Sequence, residues 1–170
     1  MGEKSIEEKT VKELHYDFRG FTINGFISFV GEKRGRQIIS TPWIMPPALF
    51  GAWMSDVEEP KEYIFYRPNT QIIHQVHIQL HELSHLLLGH PTLQINREMI
   101  ADVLRGEASL PFSELLRLRS PMHSDLETQA ETLAALIQKE VIRRSNLDQL
   151  MEDLSSEEKL AHFLKTMGLS

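Results

Sequence analysis

Hydrophobic positions in the first third of the chain predict one short helix followed by strands. Residues 3–15 form an acidic, amphipathic segment, which is typical of a short surface helix. Residues 21–23 and 26–30 are rich in aromatic and β-branched side chains, and they flank the pair Asn24-Gly25. Because this pair favours a type I′ turn, the pattern predicts a β-hairpin.

The chain between this hairpin and residue 68 alternates between apolar runs and turn-forming residues. The pattern predicts, in order, a turn at 31–35, a strand at 37–40, a loop containing Pro42, Pro46 and Pro47, a short helix at 48–54 and a strand at 63–66. Combined with the hairpin, these strands predict a small antiparallel β-meander.

From residue 70 onward the spacing of apolar residues is helical. The segment up to Gly89 is apolar over much of its circumference, as expected for a helix buried on several sides, and Gly89 with Pro91 is a helix stop signal. Further helices are predicted at about 96–105, 112–118, 124–140, 145–153 and 156–167. The fold class expected is therefore α+β, with the N-terminal antiparallel β-meander packed on a helical core.

Length and composition favour one soluble domain over the whole chain, residues 1–170. Within it we expect mostly strands and loops in 1–68, the helices of a candidate site in 69–140, and a helical extension in 141–170. The net charge of −6 argues against direct nucleic-acid binding, and the absence of cysteine excludes disulfides and thiolate ligands. Neither a signal peptide nor a long apolar run is present, so we expect a cytoplasmic protein that does not contact a membrane.

The buried helix carries an H-E-x-x-H motif, His81-Glu82-Leu83-Ser84-His85. Two histidines four residues apart lie one turn apart on the same helical face, where both imidazoles can bind one metal ion. Glu82 can then reach a water molecule on that ion and act as a general base. His74 and His77 lie on nearly the same face, but we expect them to be structural or surface residues because neither is followed by a base.

A catalytic zinc ion takes three protein ligands and a water molecule, so a third ligand must come from elsewhere. The strongest candidate is Glu127, which stacks one turn before Glu131 at the start of a later helix. Glu127 also fits a capping box with Ser124, which is a purely structural role. Other residues that can serve as the third ligand or as an outer hydrogen-bond partner are His90, His123, Asp125 and Glu131.

Two stretches, HELSHLLLGH from residue 81 and ETQAETLAALI from residue 127, resemble the motifs of the ImmA/IrrE-type metallopeptidases. By this resemblance His81, His85 and Glu127 match the metal ligands and Glu82 the general base, a gluzincin-like arrangement. The chain has Ser84 where the family usually has glycine, and Glu131 where it usually has asparagine or aspartate.

The resemblance implies a zinc-dependent endopeptidase whose substrate is a protein, such as a bacterial or phage helix-turn-helix repressor. Mn²⁺ or Fe²⁺ also suits two histidines and a carboxylate. His90, His123 and Tyr66 are candidate donors to the oxyanion, and residues 63–67 would align an extended substrate if they form a sheet edge. The alternative is a metal-binding regulatory or toxin-type module that acts by binding a partner without proteolysis. The oligomeric state cannot be read from the sequence.

Overall fold

The computed structural model describes residues 4–107, 112–118 and 123–166 and has the α+β class expected from the sequence. Its helices are α1 (Ile6–Leu14), α2 (Ile23–Arg34), α3 (Ile72–Leu88), α4 (Arg97–Arg105), α5 (Phe112–Leu118) and α6 (Ser124–Thr166). Its strands are β1 (Gln37–Pro42), β2 (Gly51–Asp56), β3 (Lys61–Tyr66) and β4 (Leu93–Ile95). Within the described part of the chain, no helix is long and apolar enough to cross a lipid bilayer.

The sheet is mixed, so the predicted antiparallel meander is wrong. Its strand order is β1-β3-β2-β4, with β3 antiparallel to β2, while β1 pairs with β3 and β4 with β2 in parallel. Parallel neighbours cannot be joined by a tight turn and need a longer connection. The chain between β1 and β3 contains a loop and β2, and the chain between β2 and β4 contains β3 and α3. The sequence pattern alone did not reveal these long connections.

The predicted hairpin is also wrong, because Asn24-Gly25 lies in the first turn of α2. The Thr22 hydroxyl caps this helix by accepting a hydrogen bond from the Gly25 N–H at 3.1 Å. Phe26 and Val30 are buried at helical spacing, so the helix places both in the core. The turn predicted at 31–35 is the last turn of α2, which ends at Gly35 with a φ of 64°.

The short helix predicted at 48–54 is wrong as well, since β2 occupies Gly51–Asp56. Both faces of this strand are covered. Trp53 packs with the helices on one face, while Ala52 and Met54 pack into a second apolar cluster on the other. A strand buried on both faces has no alternation of polar and apolar residues, so its pattern does not distinguish it from a short helix.

Helix α3 lies between the sheet and α6, and the main core forms on both of its sides. Leu80 and Leu83 of α3 pack in one cluster with Ile64 of β3 and with Leu133 and Ile137 of α6. The three helices predicted at 124–140, 145–153 and 156–167 form one continuous helix, α6; residue 167 and the rest of the predicted C-terminal extension lie outside the described residues.

The helical state of residues 23–34 can be tested at the exposed Asn24, which lies in the first turn of α2. This turn contains no acidic residue, so Asn24→Glu places a carboxylate near the positive end of the helix dipole. We expect the free energy of unfolding to rise by about 0.5 kcal/mol, measured by urea denaturation. Thr22→Ala, which removes the cap, should lower it by about 1 kcal/mol. A type I′ turn would instead lose stability with glutamate at position 24.

Candidate metal centre

Three side chains from two helices bring atoms that can ligate a metal together at one point. His81 Nε2 lies 3.0 Å from His85 Nε2 and 3.2 Å from Glu127 Oε2. His85 Nε2 lies 3.4 Å from Glu127 Oε1. The two histidines come from α3 and the glutamate from the first turn of α6. These residues form a group that can hold a metal ion.

The distances within this group suit a small divalent ion. Nitrogen or oxygen ligands about 2.0–2.1 Å from a tetrahedral ion lie roughly 3.3 Å from one another, close to the separations found here. The electrostatics agree, because the described residues lining the neighbouring cleft include Glu82, Glu127 and Glu131 but no lysine or arginine. A dication would offset the mutual repulsion of these carboxylates.

Glu131 lies on the other side of His81 from the ligand group. Its carboxylate is 3.2 Å from His81 Nδ1 and 3.1 Å from Nε2 of His77, so it joins two imidazoles of α3. A carboxylate that accepts a hydrogen bond from Nδ1–H leaves the Nε2 lone pair of that ring available to a metal. From the sequence, Glu131 was expected to be either such an outer partner or the third ligand, and it lies outside the ligand group.

His90 lies behind His85, opposite the ligand group. Its Nδ1 is 2.9 Å from His85 Nδ1, and its Nε2 is 3.1 Å from Gln129 Oε1 on α6. Burial lowers the pKa of His90, which favours the neutral ring with one donor and one acceptor. Both ring nitrogens of His90 therefore have protein partners, and neither belongs to the ligand group.

The Glu82 carboxylate is buried, with 1 % of the residue exposed, at a point where β2 has no side chain. A Cβ atom on Gly51 would lie 2.7 Å from Glu82 Oε1 and 2.6 Å from Cγ2 of Ile78. Both distances are shorter than real Cβ contacts, so a side chain at position 51 would force Ile78 or Glu82 to move. Glycine at this position therefore leaves the space in which the Glu82 carboxylate lies.

A cleft of about 390 Å³ opens beside the ligand group, and we call it the metal-site cleft. It is lined by Ala48, Leu49, Phe50, Gly51, His74, His77, Ile78, His81, Glu82, Leu116, Glu127 and Glu131. Of the residues expected as oxyanion donors, His90, His123 and Tyr66 are all absent from this lining. Asp125 is exposed in the first turn of α6, and neither it nor His123 belongs to the ligand group.

Strand β3 is an interior strand, so the condition under which residues 63–67 would align a substrate, that they form a sheet edge, is not met. The strand that borders the metal-site cleft is β2, through Gly51. Arg67 N–H donates to Phe50 O at 2.8 Å, and the alternation of an antiparallel ladder then turns the backbone groups of Gly51 and Trp53 away from β3. On that side β4 pairs only from Met54 onward, and the Thr92 hydroxyl donates to Trp53 O.

Three residues at the site received no site role from the sequence. His77 was placed on nearly the same face as His81 from its spacing, but it was expected to be a structural or surface residue. Gly51 was assigned to a helix, which hid its proximity to Glu82. Gln129 carried no signal, because its contact with His90 depends on how α6 packs against the end of α3.

No protein-family model, curated protein or solved structure matches the chain. The protein is therefore described by its fold and its candidate site alone. It is an α+β protein with a candidate metal centre of two histidines and one glutamate on two packed helices.

The ligand group can be tested by metal content and affinity. We expect about one divalent ion per chain after zinc reconstitution, measured by elemental mass spectrometry. Glu127→Ala should weaken zinc binding by more than about 100-fold, since losing only an outer hydrogen bond costs 10–100-fold. Asp125→Ala, which removes an exposed carboxylate from the same turn, is the matched control and should bind as the wild type does. Equal affinity of the two variants would contradict the assignment of Glu127.

Proposed function

We propose that the protein is a metal-dependent endopeptidase with Glu82 as its general base. The observation that carries this proposal is the position of the Glu82 carboxylate. It is buried and lines the same cleft as His81 and Glu127, next to the ligand group on the same helix. A buried carboxylate beside a candidate metal centre is the arrangement that hydrolysis of a peptide bond needs.

The expected ion is Zn²⁺, held by His81, His85 and Glu127, with Mn²⁺ or Fe²⁺ as alternatives. When bound, it would acidify a water molecule and polarise the scissile carbonyl. Glu82 would take up the proton released in the attack and deliver it to the leaving amine. His77, an imidazole of the cleft outside the ligand group, is held by Glu131 and replaces His90, His123 and Tyr66 as our candidate donor to the oxyanion.

The substrate we propose is an extended segment of a protein. Such a segment can lie in the metal-site cleft, which Gly51 of β2 lines. Gly51 also lies against Glu82, so a segment bound there would pass close to the proposed base. The motif resemblance suggests that the substrate is a helix-turn-helix repressor.

A metal-binding regulatory or toxin-type module that acts by partner binding is the second candidate. The observation that favours it is the course of α6 beyond the site, where residues 142–149 are all exposed. Two of them, Ile142 and Leu147, are large apolar side chains with 61 % and 41 % exposure. An exposed helix that carries apolar residues is a common docking element for a partner protein.

Glu82→Gln separates the two candidates. Zinc-loaded protein is incubated with a peptide library made from digested cellular proteins, and new termini are identified by mass spectrometry. We expect the wild type to cut a recurrent subset and Glu82→Gln to cut about 10²–10⁴-fold more slowly, because the base is lost. Its zinc content should equal that of the wild type, and Asp125→Asn should retain full activity. A zinc-loaded wild type that cuts nothing, or a variant that cuts equally well, would favour the partner-binding module.

Gly51→Ala tests whether the position of Glu82 matters for hydrolysis. The added methyl group would overlap the carboxylate and Ile78, so either or both must move. We expect kcat/KM on a peptide from the library to fall by up to about 100-fold, as a shift of about 1 Å can cause. Zinc content should not change. If the variant keeps wild-type activity, the contact between Gly51 and Glu82 has no catalytic role.

A further inference from the structure

His85, His90 and Gln129 form a line of hydrogen bonds that begins at the ligand group and ends on α6. We call it the outer chain. We infer that His90 and Gln129 are positioning residues, which hold His85 in the one tautomer whose Nε2 can bind a metal. The inference rests on the metal site proposed above, but it does not require that the site be catalytic.

The direction of the outer chain follows from its last atom. Gln129 Oε1 has lone pairs and no hydrogen, so it must accept from His90 Nε2–H across 3.1 Å. A metal ion on His85 Nε2 requires the hydrogen of that ring to be on Nδ1, so His90 Nδ1 is the acceptor of the pair. His85 Nδ1, which is 2.9 Å away, must donate to it. The only lone pair left on the His85 ring is then on Nε2, the atom that faces His81 and Glu127.

Burial makes this arrangement specific. Only 7 % of His85 and 8 % of His90 is exposed, which limits the access of water to these rings. The backbone reinforces the contact, because α3 ends at Gly89 with a φ of 69° and the His90 N–H then donates to His85 O at 3.0 Å. The sharp turn at Gly89 therefore brings the His90 ring back beside the ring of His85.

The same geometry excludes His90 as a fourth ligand. It contacts the nitrogen of His85 that faces away from the ligand group, and its own second nitrogen is bonded to Gln129. The two ligand histidines thus have different outer partners. His81 has Glu131, a carboxylate with 57 % of its side chain exposed, whereas His85 has a buried neutral ring.

The first test is zinc affinity, measured by competition with a chromogenic chelator. Gln129→Met removes the acceptor at similar volume, and His90→Phe removes the ring that His85 donates to. We expect affinity to fall about 10-fold in the first variant and 10–100-fold in the second. Gln129→Glu keeps an acceptor at the same place, so this variant should bind zinc with wild-type affinity. His74→Phe removes an imidazole of α3 that lies outside the outer chain and is the matched control.

The second test reads the tautomers directly. In the zinc-loaded protein, long-range ¹H–¹⁵N spectra should show the hydrogen of His85 on Nδ1 and that of His90 on Nε2. In Gln129→Met the His90 signals should indicate a mixture of tautomers, which a purely structural role of Gln129 would not produce. Melting curves of the metal-free variants identify any loss of folding.

The outcomes distinguish this inference from the proposed function. The inference is supported if His85 carries its hydrogen on Nδ1, His90 carries its hydrogen on Nε2, and both variants bind zinc more weakly. This holds whether or not the protein cuts peptides. It is overturned if His90 carries its hydrogen on Nδ1, if the folded variants bind zinc within twofold of the wild type, or if the wild type binds no zinc. Cobalt substitution adds one more check. If the absorption spectrum of the cobalt-loaded protein shows that His90→Phe loses one of four protein ligands, then His90 is itself a ligand.

Discussion

The packing of α3 against α6 is the contact on which the site depends. Leu83 of α3 and Ala130 and Ala134 of α6 are completely buried in the described core, and the small alanines let the two backbones approach closely. Each fully buried leucine contributes about 1.5–3 kcal/mol to folding, so this interface is held by apolar contacts and not by the polar site at its edge. Because the interface is fixed, Glu127 reaches the histidines without a flexible segment.

The polar groups beside this interface are costly to bury, and the structure offsets the cost by connecting them. The Nδ1 atoms of His81 and His85 and both ring nitrogens of His90 have hydrogen-bond partners among neighbouring side chains. A buried polar network stabilises one arrangement only when every member is satisfied, since an unpaired buried donor or acceptor costs about 1–3 kcal/mol. The same connections that satisfy these groups also orient two of the rings toward Glu127.

The features predictable from the sequence were those set by local spacing. The motif helix, the strands near residues 37–40 and 63–66, and α4 follow from periodicity and from stop signals such as Gly89. The hairpin prediction was wrong because the cap at Thr22 and the apolar spacing of α2 outweighed the turn preference of Asn24-Gly25. Strand β2 was not predicted because both of its faces are buried. The pairing of His81 with His85 is local and was predictable, whereas the contacts of Gly51 and Gln129 depend on tertiary packing.

The convergence of Glu127 on the motif carries information that the motif lacks. An H-E-x-x-H sequence on a helix places two imidazoles on one face whatever its role, because the spacing alone does so. A carboxylate delivered by a separate helix to within 3.4 Å of both Nε2 atoms requires a particular packing of that helix. Since His90 is turned away, the group found among the described residues offers three potential ligands to a metal ion. Structural zinc sites usually have four protein ligands and catalytic sites three with a water molecule, so three potential ligands are the number that our proposal requires.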